Sequence, residues 1–236
     1  RAGTFGDDGN LAVERNPNEP WRQFANLLVL KLEHTIQPTE GSEFYESPSA
    51  LLDDLKILEK ALMAVGSELI VEDLIFPIER QILCFGFHLA KLDIRQNSSY
   101  HDKVMEQMLA AAGFENTDFA SWNEEDRLEF INKELETNRP FLPSGFSCGL
   151  EADNVLGYFR AIKEFTDQFG TEGIGTIIVS MTSSLSDLLV IYLFLREVGL
   201  DTIDFMVAPL LETIGDLESG EDILNAFLIQ IGRAHV

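Results

Sequence analysis

Cysteine is scarce in this chain. Its 236 residues hold two, Cys84 and Cys148, far apart and without C-x-x-C spacing. That excludes a disulfide framework and leaves a structural zinc site without ligands, so both are expected to be reduced core thiols. Basic residues are few as well: 17 Lys and Arg stand against 40 Asp and Glu, a formal charge of −23. Such a charge repels a phosphate backbone and excludes nucleic acid and anionic membranes as partners. The longest apolar run, around Leu188 to Leu195, falls far short of the ~20 residues a membrane span needs. No signal-peptide pattern opens the chain, and a cytoplasmic protein is expected. Gly173-x-Gly175 lacks the full dinucleotide fingerprint and precedes an apolar run instead of following one. There is no Walker motif. His34, His88 and His101 are isolated from one another, which reads as core or surface histidine and not as a metal site.

What the chain does have is a globular composition, 45% hydrophobic and 24% charged residues, on a length that suits one or two domains. The first 18 residues carry Gly, Asp and Asn without periodicity and are expected to be irregular. A helix is predicted from Pro20, with Phe24, Leu27, Leu28 and Ile36 on one face. A second starts near Pro48, striped by Leu51, Leu52, Leu55, Leu58, Leu62 and Met63 and stopped by Gly66. A third runs from about Val71 to Leu83 with a kink at Pro77. The period then changes. From Leu89 to Arg95 apolar Ala90, Leu92 and Ile94 alternate with Lys91, Asp93 and Arg95, which predicts a strand. Gly175–Met181 and Phe205–Leu211 are short apolar runs suited to strands covered on both faces. Helical sequence fills the gaps: Tyr100–Ala112, Asn123–Glu136 behind the capping box Ser121-x-x-Glu124, Ala152–Phe169 with a core stripe of Phe159, Ile162, Phe165 and Phe169, and Leu188–Glu197 behind the capping-box-like Ser184–Asp187. Strand-then-helix order predicts a helix-rich α/β chain, either an α/β barrel or an open parallel sheet with helical insertions.

In a parallel barrel the chemistry sits at the C-terminal ends of strands. Three places qualify: Arg95, the Ser180-Met181-Thr182-Ser183 turn, and Glu212. A guanidinium fork matches carboxylate or phosphate oxygens, and a carboxylate suits a hard divalent cation. Together they read as a metal-assisted reaction on a small anion, against the plainer reading of a structural ion pair.

The residues around these positions narrow the choice. Phe85 to Ser98, containing Leu92-Asp93-Ile94-Arg95-Gln96, resembles the Leu-Asp-Ile-Arg-Gln region of bacterial phosphoenolpyruvate carboxylases. Ile178-Val179-Ser180-Met181-Thr182 with Ser186-Asp187, and Val207-Ala208-Pro209-Leu210-Leu211-Glu212-Thr213, are similar to the following barrel segments of that family, in the same order. Glu19-Pro20-Trp21-Arg22 resembles its Glu-Pro-Tyr-Arg segment. The resemblance implies part of a (β/α)8 TIM-type barrel with three parallel strands. It implies a parent enzyme, a lyase, that joins phosphoenolpyruvate and bicarbonate to give oxaloacetate and phosphate with Mg2+ or Mn2+, working as a cytoplasmic homotetramer. Arg95 would then contact the anionic substrate and Glu212 would be a metal ligand.

Equally, the resemblance implies parts that are missing. The family's His-Pro-Thr-Glu motif is absent, Gln37-Pro38-Thr39-Glu40 being a false lookalike, as are the Gly-Tyr-Ser-Asp-Ser segment with its second acidic ligand and lysine, and the mobile glycine-arginine loop. A single carboxylate makes a poor Mg2+ site, so the chain alone is expected to bind metal weakly and to be inactive. Gln230 to Val236 resembles one in-frame reading of a common sequencing-adapter sequence. The expected layout is therefore an irregular truncated start over 1–18, an incomplete barrel with helical insertions over 19–230, and an adapter-derived tail over 231–236. Open strand edges and exposed apolar surface are expected to make the isolated chain poorly behaved. Two other readings stay open: a different metal-dependent barrel enzyme acting on pyruvate-like acids, and an acidic helical interaction module in which Arg95 and Glu212 merely pair. Placement of both residues at one strand-end face would separate a barrel from a self-closed module.

Overall fold

The computed structural model describes residues 5–38, 41–143 and 145–234. The chain divides into two compact units, residues 1–90 and 91–236.

The first unit is helical. α1 (Gly6–Glu14) forms where the composition predicts irregular chain. Asp7 and Asp8 complement the dipole of its first turn, and Asn26 secures its far end by donating to the Ala12 carbonyl at 2.9 Å. α2 (Pro20–Ile36) opens on Pro20 and closes at Gln37; the Thr39-Glu40 half of the lookalike motif lies outside the described residues. α3 (Pro48–Met63) is capped by Ser47, whose hydroxyl accepts from the Ala50 amide. Leu51, Leu55, Leu58 and Leu62 are buried as the stripe predicts, while Met63 at the end of the helix is exposed. The third predicted helix is compound: α4 (Glu68–Ile70), a π-turn over Val71–Ile75, then α5 (Phe76–Phe85). Pro77 has no N–H to give to the preceding turn, and the wider π-turn absorbs that loss. Cys84 is exposed, not a core thiol, and Cys148 is half-buried.

The second unit holds β1 (Leu92–Asn97), α6 (Ser98–Ala111), α7 (Glu124–Leu135), α8 (Leu150–Phe169), β2 (Ile174–Ser180), α9 (Ser186–Val198), β3 (Met206–Leu210) and α10 (Ile214–Ala234). The strands form one parallel sheet in the order β1-β2-β3. This is the expected helix-rich α/β architecture. β1 begins at Leu92 and not Leu89, because Leu89 sits at φ 66° and its amide closes a turn onto the Phe85 carbonyl at 2.8 Å. The β1–β2 register shifts between Leu92 and Ile94. There the Asp93 carboxylate accepts from the Thr176 amide at 2.8 Å, and a Cβ on Gly175 would collide with it, so this close approach requires glycine.

Register fixes the two faces. Ile94, Ile177 and Val207 share one row, with Ile177 and Val207 buried and Ile94 packed on the helical core. Arg95, Ile178 and Ala208 form the next row, which the strand alternation turns away from the helices. The middle of α9 is apolar all round and deeply buried, with Leu188, Ile191, Leu193, Phe194 and Leu195 all inaccessible to solvent. It connects β2 to β3 as the predicted β-α-β crossover. In α8 the aromatic stripe is core at Phe159 and Ile162, but Phe165 and Phe169 emerge at the surface. The capping boxes shift. Asn123, not Ser121, caps α7 by accepting from Asp126 at 2.9 Å, and α9 keeps only half a box, its Asp187 reaching back to the Ser184 amide at 3.1 Å. No described helix is long and apolar enough to cross a membrane. Of the proposed adapter tail, the backbone to Ala234 continues α10; His235 and Val236 lie outside the described residues.

Candidate functional site

The three strand-end positions converge at the C-terminal end of the sheet. Arg95 leaves β1 on the face turned from the helices, and Glu212 follows the last residue of β3 by two. Although 117 positions separate them, Arg95 Nη2 donates to Glu212 Oε1 at 2.8 Å. Their side chains are 55% and 34% exposed, so solvent screens the pair and its stabilising worth is at most about 1 kcal/mol. The other carboxylate oxygen, Oε2, accepts from the Met181 amide at 3.2 Å. Met181 follows β2 directly with φ 57°, and its carbonyl accepts from Ser98 Oγ, just beyond β1, at 2.9 Å. The ends of all three strands thus contribute to a single cluster.

Local structure places Glu212. The Asp216 carboxylate accepts from the amides of Glu212 at 3.1 Å and Thr213 at 2.9 Å, while Thr213 Oγ1 accepts from the Asp216 amide at 3.1 Å. This is a reciprocal cap at the start of α10. The Thr213 amide and hydroxyl hold the Asp216 carboxyl below the usual carboxylate range. In the serine-rich turn the hydroxyls are structural. Ser180 Oγ donates to the Gln96 carbonyl at 3.4 Å, and Thr182 Oγ1 donates to the Val179 carbonyl at 2.7 Å. The turn's contribution to the cluster is therefore a backbone amide, which no side-chain motif announces.

A divalent cation does not fit the described residues as they stand. Both Glu212 oxygens already have partners, and among the described residues no three His, Cys, Asp or Glu side chains are grouped closely enough to hold a metal. The histidines stand apart from the cluster. His34 Nδ1 bonds the Glu43 carbonyl at 3.0 Å. His101 is buried with both ring nitrogens unpaired, and burial pushes its pKa down to about 4.

A second charged group, unforeseen from the sequence, lies behind the turn. Arg127 makes a fork onto Asp102 at 3.2 and 3.3 Å, donates to the Ala120 carbonyl at 3.1 Å, and sits over the Phe119 ring at 4.7 Å. Its Nη1 is also 3.8 Å from Asp187. Burial raises the Asp102 pKa in spite of Arg127. Asp187 Oδ2 accepts from the Ser183 and Ser184 amides at 2.8 and 3.1 Å. Glu124 accepts from the Ser186 amide at 2.9 Å and its hydroxyl at 2.6 Å.

Comparison with known proteins gives these positions a context. The family model for phosphoenolpyruvate carboxylase matches residues 7–236. The chain is 32% identical over 254 residues to the phosphoenolpyruvate carboxylase of Roseiflexus castenholzii, an alignment covering 100% of this chain and 27% of that protein. It is 33% identical over 225 residues to that of Rhodopseudomonas palustris, covering 89% and 24%. With that of Mycolicibacterium paratuberculosis it shares 36% over 213 residues, covering 86% and 22%. The chain spans about a quarter of the length of these relatives.

Proposed function

Because the chain belongs to the phosphoenolpyruvate carboxylase family, we propose that its strands are consecutive members of a (β/α)8 barrel whose C-terminal rim joins bicarbonate to phosphoenolpyruvate, giving oxaloacetate and phosphate. The contact that carries this reading is the 2.8 Å approach of Arg95 to Glu212 at one strand-end face, the place where barrel enzymes keep their chemistry. Two further features support it. The helices cover only the face bearing Ile94, Ile177 and Val207, leaving Arg95 on the face that a barrel turns inward. Among the described residues β1 and β3 each pair along one side alone, as strands awaiting neighbours do.

In this reading Arg95 binds the substrate's anionic groups. A guanidinium carries five N–H donors in a fixed fork; one meets Glu212, and the side chain is 55% exposed, so the remaining donors are accessible to phosphate or carboxylate oxygens. When phosphate departs and an enolate forms, a fixed positive charge beside the oxygens stabilises the charge that develops. Mg2+ or Mn2+ is proposed for the whole enzyme, with Glu212 as one ligand once it is released from Arg95 and the others supplied by the rest of that enzyme. The whole enzyme is proposed to be a cytoplasmic homotetramer, and this chain alone to be inactive.

A chimera tests the reading. This chain replaces the matching stretch of the Roseiflexus castenholzii relative, and oxaloacetate is followed through malate dehydrogenase and NADH. Oxaloacetate production that is lost on Arg95→Gln is the expected result. A chimera that melts and assembles like its host yet makes no oxaloacetate would overturn it.

A further inference from the structure

The Met181 amide reaches Glu212 from a backbone conformation that a β-carbon disfavours, φ 57°, so the surroundings must hold it there. On its upstream side β2 fixes the chain, and Ser98 Oγ fixes the Met181 carbonyl at 2.9 Å. On its downstream side the turn runs into Ser183 and Ser184, whose amides are both tied to Asp187, and then into Ser186. What holds Ser186 and Asp187 comes from elsewhere in the chain. Glu124 takes the Ser186 amide and hydroxyl at 2.9 and 2.6 Å across 62 positions of sequence. Arg127, one turn further along α7, reaches Asp187 at 3.8 Å while anchored on Asp102, on the Ala120 carbonyl and on the Phe119 ring. Arg127 and Asp187 expose 11% and 5% of their side chains, so these groups are fixed inside the packed helices and not at the surface.

We propose that Glu124 and Arg127 are positioning residues, which grip the Ser186–Asp187 end of the Ser183–Asp187 segment from α7 so that, through the Asp187 carboxylate that ties Ser183 and Ser184, the preceding Met181 amide is aimed at Glu212. This rests on the reading of Glu212 as a residue of the phosphoenolpyruvate site. α7 belongs to the long insertion between β1 and β2 and offers no group to the strand-end cluster itself. Its part is to set the shape of the turn after β2. Without the grip, the left-handed Met181 conformation relaxes and Glu212 loses its backbone donor, keeping only Arg95. The plainer alternative is that α7 merely caps α9 and contributes to global stability.

Amide hydrogen exchange on the chain, read residue by residue by NMR, separates the two. Glu124→Ala removes the Ser186 acceptor without emptying a buried site. It is expected to speed exchange at Met181, Ser183 and Ser184 by about tenfold, a local opening, while Ile177 and Val179 in β2 keep their protection. Glu124→Gln keeps an acceptor for the Ser186 amide and is expected to restore the native rates. Ser186→Ala, which removes one donor and no charge, gives a smaller change of the same pattern and serves if Glu124→Ala does not fold. Unchanged Met181 exchange, or uniform acceleration through the second unit, would overturn the proposal. Phosphoenolpyruvate titrated against the Arg95 Nε–H resonance tests the underlying reading separately. Local acceleration with no response at Arg95 leaves the positioning role standing and removes the substrate site.

Discussion

His101 offers the cleanest quantitative test of the second unit's packing. It is 1% exposed, lies edge-on to Phe194 with ring centroids 5.5 Å apart, and has no partner for either ring nitrogen. Burial alone lowers its pKa from 6.5 to about 4. The sign follows: the unfolded chain takes up the proton first, so the folded state is favoured above pH 6.5 and loses ground as pH falls from 6.5 towards 4. For these two values the loss attributable to His101 is about 2 kcal/mol between pH 7 and pH 5, and approaches about 3 kcal/mol at pH 4. The perturbation is His101→Leu, of similar size, without a titrating group and without orphaned nitrogens, which is also expected to stabilise the unit by about 1 kcal/mol at neutral pH. Urea unfolding followed by Trp122 fluorescence in a Trp21→Phe background reports on this unit alone. Comparing parent and variant at each pH cancels the titration of the chain's other ionisable groups, and the gap between them is expected to widen by about 2 kcal/mol from pH 7 to pH 5. A gap that stays constant would show that His101 is hydrated or paired in solution, and the packing argument around α6 and α9 would fail.

Arg95→Gln frees one Glu212 oxygen and removes a competing positive charge, so Mn2+ measured by electron paramagnetic resonance is expected to bind about threefold tighter or better, and weaker binding would show that Arg95 does not compete for that carboxylate. Arg127→Met leaves Asp102 and Asp187 without their counter-charge in a packed interior, at an expected cost of about 3–5 kcal/mol in urea at pH 7, and a loss under 1 kcal/mol would mean water reaches the group. Gly199 ends α9 at φ 73°, a conformation that penalises a β-carbon. Gly199→Ala is therefore expected to cost about 1 kcal/mol, whereas an unchanged melting temperature would indicate that the cap relaxes.

Much of the fold was legible in the sequence because it is carried by periodicity. The α3 stripe repeats at the spacing of a helix, and the apolar runs around Leu188–Leu195, Ile177 and Val207 mark the buried middle of α9 and the buried strands. Misreadings fall where the local pattern and the chain's geometry part company. At Leu89–Ala90 the alternation of β1 extends backwards into a turn, but the helix ending at Phe85 must close before a strand can begin, and the Leu89 amide is spent on that closure. At Gly6–Glu14 the sequence is poor in helix formers, and Asn26 supports the segment from α2 through the Ala12 carbonyl and the Asn16 side chain, both at 2.9 Å. A contact between elements carries no signature in a window of nine residues.

The site divides in the same way. Arg95 and Glu212 were visible because strand ends can be located and because a guanidinium and a carboxylate are chemically distinctive. The Met181 amide was invisible, since every residue but proline has one and only the φ of 57° reveals its use. Arg127 lay between these cases. On a strongly polar helix it reads as a solvated cation, yet it stands four residues before Ile131, the other buried residue of α7, and so occupies the inward stripe. A charged side chain in an apolar stripe demands partners, because burying it alone costs several kcal/mol. Asp102 and Asp187 meet that demand from two other helices. Charged residues at strand ends therefore show in their own type and position, whereas those that hold such groups in place show only as exceptions to a pattern. In this chain the exception on α7 leads, through Asp187 and the serine turn, back to the carboxylate at the end of β3.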